Sequence, residues 1–274
     1  MTLEQYMREL WLMDKQYGQE EELYPLINML LRDGANTEKL SIRDVHKGQR
    51  IKTENKNMNV EQRKYIDGFG SFPDLAIFDE SFPEKENIDS NLQKIYGCVE
   101  AKCISQELIE CLDLNTIEII CEENKKNNEN EEISWINYYV KKNKTLLNES
   151  GGKAKDAGQL LGELLWYGKV LYTNGVIWKY YTLSKESGNK INGIRKDYIS
   201  NPPSKGEVGY KTWIFEQCKE TLLKIISADI GDLTEIYEKI KDKTSIPTFD
   251  SQDYDKWKKF KTNLATIDWT EVIF

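Results

Sequence analysis

The stretch SFPDLAIFDE, residues 71–80, is followed after a polar gap by YGCVEAKC, residues 96–103. Both are short apolar runs bounded by turn-forming residues, the pattern of strands buried in a sheet. Yet the first carries Asp74, and the second carries Glu100 and Lys102. Charged groups in a packed sheet are costly unless they are paired or bound to a metal, so the two strands are read as the walls of a site. Side chains alternate along a strand, which puts Glu100 and Lys102 on one face and Val99, Ala101 and Cys103 on the other. If the strand opened by Pro73 lies alongside, Asp74 reaches the same place, and two carboxylates and an ammonium converge at a sheet edge. Such a set suits a hard divalent cation. Asp74, Glu100 and the Ala101 carbonyl supply oxygen ligands and leave positions for waters and a phosphate oxygen, as Mg²⁺ prefers. Lys102 would orient a bound water or stabilise developing charge.

Outward from these strands, the N-terminal side predicts two helices, one from Met1 to about Tyr17 and one over QEEELYPLINMLLRDG, with Gly34 as its stop. Residues 35–68 are polar and weakly periodic and are expected to form a long connection with short elements. On the C-terminal side, CEENKKNNENEE (121–132) has no apolar content to bury and is read as a surface loop. Residues 104–150 therefore look like an insertion, with ISWINYYVKK as one of its strands. GGKAKDAGQLLGELLWYG predicts a helix, and KVLYTNGVIWKYYTLS a hairpin around its Asn-Gly pair. A further strand is expected over YKTWIFEQC, and from Lys219 onward the chain is read as mainly helical. The order implies an α/β layer structure with a mixed sheet.

Composition sets outer bounds. The 274 residues carry a net charge of −8, which disfavours non-specific attraction to a polyanion; SGNKINGIRKDY and DKWKKFK are candidate basic patches, with a solvated face as the plainer reading of each. No apolar run approaches the ~20 residues that a bilayer demands, and the start does not match a signal peptide, so no membrane partner and a cytoplasmic location are expected. The five cysteines form no CxxC pair and the single histidine is His46. These counts leave few parts for a His-rich zinc site or a serine hydrolase triad.

Asp74 in a Pro-Asp pair and Glu100-Ala-Lys102 twenty-six residues on resemble the signature of the PD-(D/E)XK nuclease superfamily. The segment KAKDAGQLLGELLWYGKVLYTNGVIWKYY is similar to the part after the catalytic strand in the nuclease domain of type I restriction enzyme R subunits and related stand-alone nucleases: a helix bearing glutamine, a strand ending in TNG, and a strand with a W-x-x-Y pattern. The likeness runs from Glu20 to Thr182. It implies a restriction-endonuclease-like core, placed over residues 1–218 with 104–150 inserted; it does not account for residues 219–274, which are expected as a helical extension packed on that core. By the same resemblance Asp74 and Glu100 would bind metal together with the Ala101 carbonyl, Lys102 would be the catalytic lysine, and Gln159 would support the site. An acid on the N-terminal helix is also implied; Glu20, Glu21 and Glu22 are the candidates, with Glu22 favoured. The family pattern has tyrosine four residues after the glutamine, where this chain has Glu163; either Glu163 adds a carboxylate to the site or the helix is solvated there, and the second reading is favoured. The implied activity is Mg²⁺-dependent cleavage of DNA, with Mn²⁺ as substitute cation and a role in restriction or defence. RNA is the alternative substrate, an activator-dependent nuclease a further variant, and a non-cleaving binding or interaction module the rival from another class. No GxxxxGK[ST] motor loop is present, so the chain is expected to cut alone or to borrow targeting from a partner; a homodimer is a further expectation, since two-fold dimers are the common way to cut both strands of a duplex.

Overall fold

Lys-Val-Leu-Tyr-Thr at 169–173 is buried along its whole length, as a strand covered on both faces must be. In the computed structural model this strand, β7 (Lys169–Thr173), lies parallel to β3 (Ile95–Ala101) at the centre of a six-stranded sheet. The structure describes residues 1–16, 18–33, 37–45, 64–66, 68–69, 72–83, 87–109, 117–123, 136–142, 145–146, 151–201 and 222–274. Beyond β3 lie β2 (Leu75–Asp79) and then β1 (Leu40–Asp44); beyond β7 lie β8 (Ile177–Leu183) and then β10 (Ile225–Asp232). All pairings except β3 with β7 are antiparallel, so the sheet is mixed and the chain is α/β.

The period-two alternation of strands divides the interior into two cores. Leu75, Ile77, Val99, Ala101, Leu171 and Trp178 face one way. They are covered by α1 (Leu3–Lys15), α2 (Leu23–Arg32), α6 (Thr234–Ile240) and α7 (Ser251–Ala265). Ala76, Cys98, Val170, Tyr172 and Tyr181 face the other way. There they meet α3 (Ile88–Gln93), α4 (Gly151–Tyr167) and α5 (Lys185–Ser200). Thr2 opens α1 with a capping box, and a 3-10 turn over Glu20–Glu22 leads into α2. None of the helices among the described residues is long and apolar enough to cross a membrane.

One segment differs from the sequence expectation. The run read as helix from Lys219 holds β9 (Leu222–Leu223) and β10 before the helices α6 and α7. In β10, Ile225 and Ile230 are buried while Ile226 is exposed, and a bulge interrupts the register between Asp229 and Gly231. An edge strand with a bulge breaks strict alternation, and its polar positions then mimic the outer face of a helix. Residues 35–68, read as a connection with short elements, hold one such element in β1, an edge strand only five residues long.

The inserted region contributes β4 (Ile117–Glu123), β5 (Ile136–Lys142) and β6 (Thr145–Leu146) to a separate antiparallel sheet, which β9 completes. Residues 219–274 are thus not a helical extension laid on a finished domain: their strands enter both sheets. His46, the strand expected over YKTWIFEQC and residues 124–132 lie outside the described residues.

Candidate functional site

The register of β2 on β3 pairs Leu75 with Val99, so one step further sets Asp74 opposite Glu100, and the Asp74 N–H donates to the Val99 carbonyl at 3.1 Å. Lys102 follows the end of β3, where its N–H donates to the Thr173 carbonyl at 2.8 Å and prolongs the parallel pairing with β7. The hairpin turn secures the loop beyond it. Asn174 accepts from the N–H groups of Val176 and Ile177 at 3.0 and 2.8 Å, and its amide donates to the Gln106 carbonyl at 2.9 Å. Gly175 sits at φ +84°, a conformation in which a side chain would be strained. The Asn-Gly pair therefore both turns the chain and anchors the segment that carries Lys102.

Around this strand end the side chains converge. Asp74 takes the Tyr24 hydroxyl on Oδ1 at 2.5 Å and the Ala101 N–H on Oδ2 at 2.7 Å. Lys102 is ion-paired and hydrogen-bonded to Glu100 Oε1. Gln159, from α4, donates to the same oxygen at 2.7 Å and to Glu163 Oε1 at 3.1 Å. Asp74, Glu100, Lys102 and Glu163 are all buried, Glu163 completely. Glu100 Oε2 is buried and has no hydrogen-bond partner.

One ammonium serves several acids here, and the protonation of each shows the imbalance. Burial first, and then the charges of Glu163 and Asp74, push Glu100 well above the usual carboxylate range against the pull of Lys102. Glu163 is raised to about 8, by burial and then by Asp74. Glu20 is raised to about 7 by burial and Asp74, with Lys102 opposing. Burial works against the Lys102 ammonium, but Glu100, Glu20 and Asp156 outweigh it and hold its pKa above the ordinary lysine value. Burial and the neighbouring Asp74 raise Tyr24, so its hydroxyl keeps its proton.

Of the residues singled out in the sequence, Asp74, Glu100, Ala101, Lys102 and Gln159 are brought together. Of the three candidate N-terminal acids, Glu20 interacts with Asp74 and Lys102, and Glu22 Oε2 is buried without a hydrogen-bond partner. The expectation that Glu163 is solvated is overturned, since α4 presses it between Gln159 and the sheet with no exposure. Tyr24 is a site residue that the sequence reading misses. Its one signal is its place four residues after Glu20, one helical turn on, which brings both toward Asp74; the Tyr24 hydroxyl also lies 3.4 Å from Glu20 Oε1.

The two basic runs fare differently. SGNKINGIRKDY forms part of α5, and its Arg195 is fully buried over the rings of Trp166 and Phe274. DKWKKFK lies on α7, burying Trp257 and Phe260, with Lys256 paired to Glu235 and Lys261 to Asp33.

Among the described residues no group of three or more His, Cys, Asp or Glu side chains stands ready to hold a metal ion. The chemistry of the donor set nevertheless fits a hard cation. A buried carboxylate oxygen lacks a donor, and the surrounding acids outnumber the lysine. Asp74 and Glu100 with the Ala101 carbonyl are the oxygens at hand, and Mg²⁺ commonly binds through one or two carboxylates and keeps its waters. Comparison of the chain with protein-family models, with curated proteins and with solved structures found no match in any of the three.

Proposed function

We propose that this chain is a divalent-cation-dependent phosphodiesterase that cleaves DNA. The observation that carries the reading is the meeting of Asp74, Glu100 and Lys102 at one buried strand end, with Gln159 holding Glu100 from the helix above. Asp74, Glu100 and the Ala101 carbonyl would hold Mg²⁺ or Mn²⁺. Bound there, the cation would supply Lewis-acid polarisation of a phosphate oxygen and a more acidic water.

The chain's own residues set up the rest. The Ala101 N–H fixes the Asp74 carboxylate. Gln159 fixes one oxygen of Glu100 and leaves the other for a ligand. Lys102, kept protonated by Glu100, is placed to stabilise negative charge that develops on a phosphate. The position agrees with the tendency of open α/β sheets to bind ligands outside the carboxyl ends of parallel strands, because Glu100 and Lys102 stand where β3 ends beside β7. A role in restriction or defence accords with the motif order in the sequence.

The test is incubation of the purified protein with supercoiled plasmid, linear DNA and single-stranded RNA in Mg²⁺, Mn²⁺ or EDTA, beside Lys102→Ala. Cleavage of DNA that needs the cation and is lost in the variant is the expected result. Cleavage of RNA alone would move the substrate class, and no cleavage together with no Mn²⁺ binding would reduce the chain to a binding module.

A further inference from the structure

Tyr24 is buried, and a buried tyrosine hydroxyl usually finds a partner. The identity of that partner is what distinguishes it. Tyr6 and Tyr167 end on backbone carbonyls, at Gly175 and Ile66. Tyr24 ends instead on Asp74 Oδ1 at 2.5 Å, while Asp74 Oδ2 takes the Ala101 N–H at 2.7 Å.

A carboxylate with one donor on each oxygen, one from α2 and one from the backbone of β3, cannot rotate without losing a hydrogen bond. A carboxylate oxygen has two lone pairs, so a single hydrogen bond does not exhaust its acceptor capacity. Such outer partners orient a ligating carboxylate, and removing one commonly weakens metal binding roughly 10–100-fold.

We infer that Tyr24 is a positioning residue, which holds the plane of the Asp74 carboxylate for the cation. The inference rests on the proposed metal site. It also assigns the N-terminal helix a part in the site through a phenol, in addition to the acid expected there: α2 enters the site with Tyr24, one turn after Glu20.

Mn²⁺ alone is titrated calorimetrically into the full chain, into Tyr24→Phe and into Asp74→Asn, and each protein is melted in EDTA. Phenylalanine keeps the buried ring and removes only the hydroxyl. The expected result is Mn²⁺ binding in the wild type, its loss in Asp74→Asn, and a dissociation constant at least tenfold weaker in a Tyr24→Phe chain that remains folded at the titration temperature. A hydroxyl that serves packing alone would lower the melting temperature and leave the affinity as it was. Binding in Tyr24→Phe within tenfold of the wild type overturns the positioning role while the metal site stands. Absence of Mn²⁺ binding in the wild type removes both. If Tyr24→Phe melts too low to titrate, the rise in melting temperature on adding Mn²⁺, compared at identical protein concentration, gives the same discrimination: an undiminished rise overturns the inference, a diminished one supports it.

Discussion

Glu163 sits in a helix segment that has no side for water. Leu160, Leu161, Leu164, Leu165, Trp166 and Tyr167 around it are all buried, and a helix that is apolar all round belongs in a core. The signal is therefore in LLGELLWY itself, whereas comparison of a single position with a family tyrosine points toward solvent. Asp74, Glu100 and Lys102 are legible for the opposite reason. Strand alternation and an adjacent register are enough to bring them together, while Tyr24 and Glu20 approach from a different layer, and for Tyr24 the one local signal is its spacing of one helical turn from Glu20. The buried acid has a consequence for pH. The ordinary glutamate value near 4.5 rises to about 8 for Glu163 in the folded chain, so the folded state holds a proton that the unfolded state gives up between those values. Its stabilising share is whole below about pH 4.5 and is lost as pH climbs through 8, a cost of the order of a few kcal/mol. In EDTA the melting temperature should fall from pH 5 to pH 8, and Glu163→Gln, which cannot ionise, should fall less steeply. Equal slopes for the two proteins would absolve Glu163. Excess Mn²⁺ should raise the wild-type melting temperature most at pH 8, where the carboxylates are freest of protons.

At the scale of elements, the hairpin around TNG and the helix before it are plain in sequence, because an Asn-Gly turn and a long apolar helical run are strong local signals. The edge strand β10 is not, since its bulge and its exposed positions dilute the alternation. Helix α5 shows how far a local rule carries. Gly188 and Gly193 both lie inside it, and alanine is preferred to glycine in a helix interior by about 1 kcal/mol. At Gly193 an added Cβ meets nothing within 4 Å, and at Gly188 it would stand 2.1 Å from the Ile273 carbonyl oxygen. Gly193→Ala should therefore raise the melting temperature by a few degrees. Gly188→Ala should lower it, because the backbone at Ile273 must give way and overpacking typically costs about 1–3 kcal/mol. Thermal melts of the two variants, run side by side, check both signs. A rise in each would mean that propensity decides and that the contact with residue 273 is weak.

Over the whole molecule the parallel pair has two different ends. The site lies at the carboxyl ends of β3 and β7, and residues 268–274 dock at the amino ends. There the Lys169 ammonium, in a buried residue, donates to the carbonyls of Asp268, Trp269 and Glu271 at 2.5, 3.2 and 2.6 Å. Trp269 packs into one core and Ile273 into the other, so this short segment closes both layers. No sequence pattern announces it: the partners of Lys169 lie about a hundred residues away, and DWTEVIF has no period of its own. Removing residues 268–274 should leave Lys169 without its carbonyls and expose the apolar surface that Trp269 and Ile273 cover. Full burial of one such side chain contributes about 1.5–3 kcal/mol, and each stranded buried polar group adds about 1–3. The shortened chain should melt roughly 10 °C lower, given about 2–4 °C per kcal/mol for chains near this size. Mn²⁺ affinity, titrated well below that temperature, should stay close to that of the full chain, because Asp74, Glu100 and Lys102 take their contacts from the opposite end of the strands. An unchanged melting temperature would mean that the segment closes neither core. A large loss of affinity in a chain that is still folded would mean that the two ends of the sheet are coupled, and that the site depends on more than the residues that touch it.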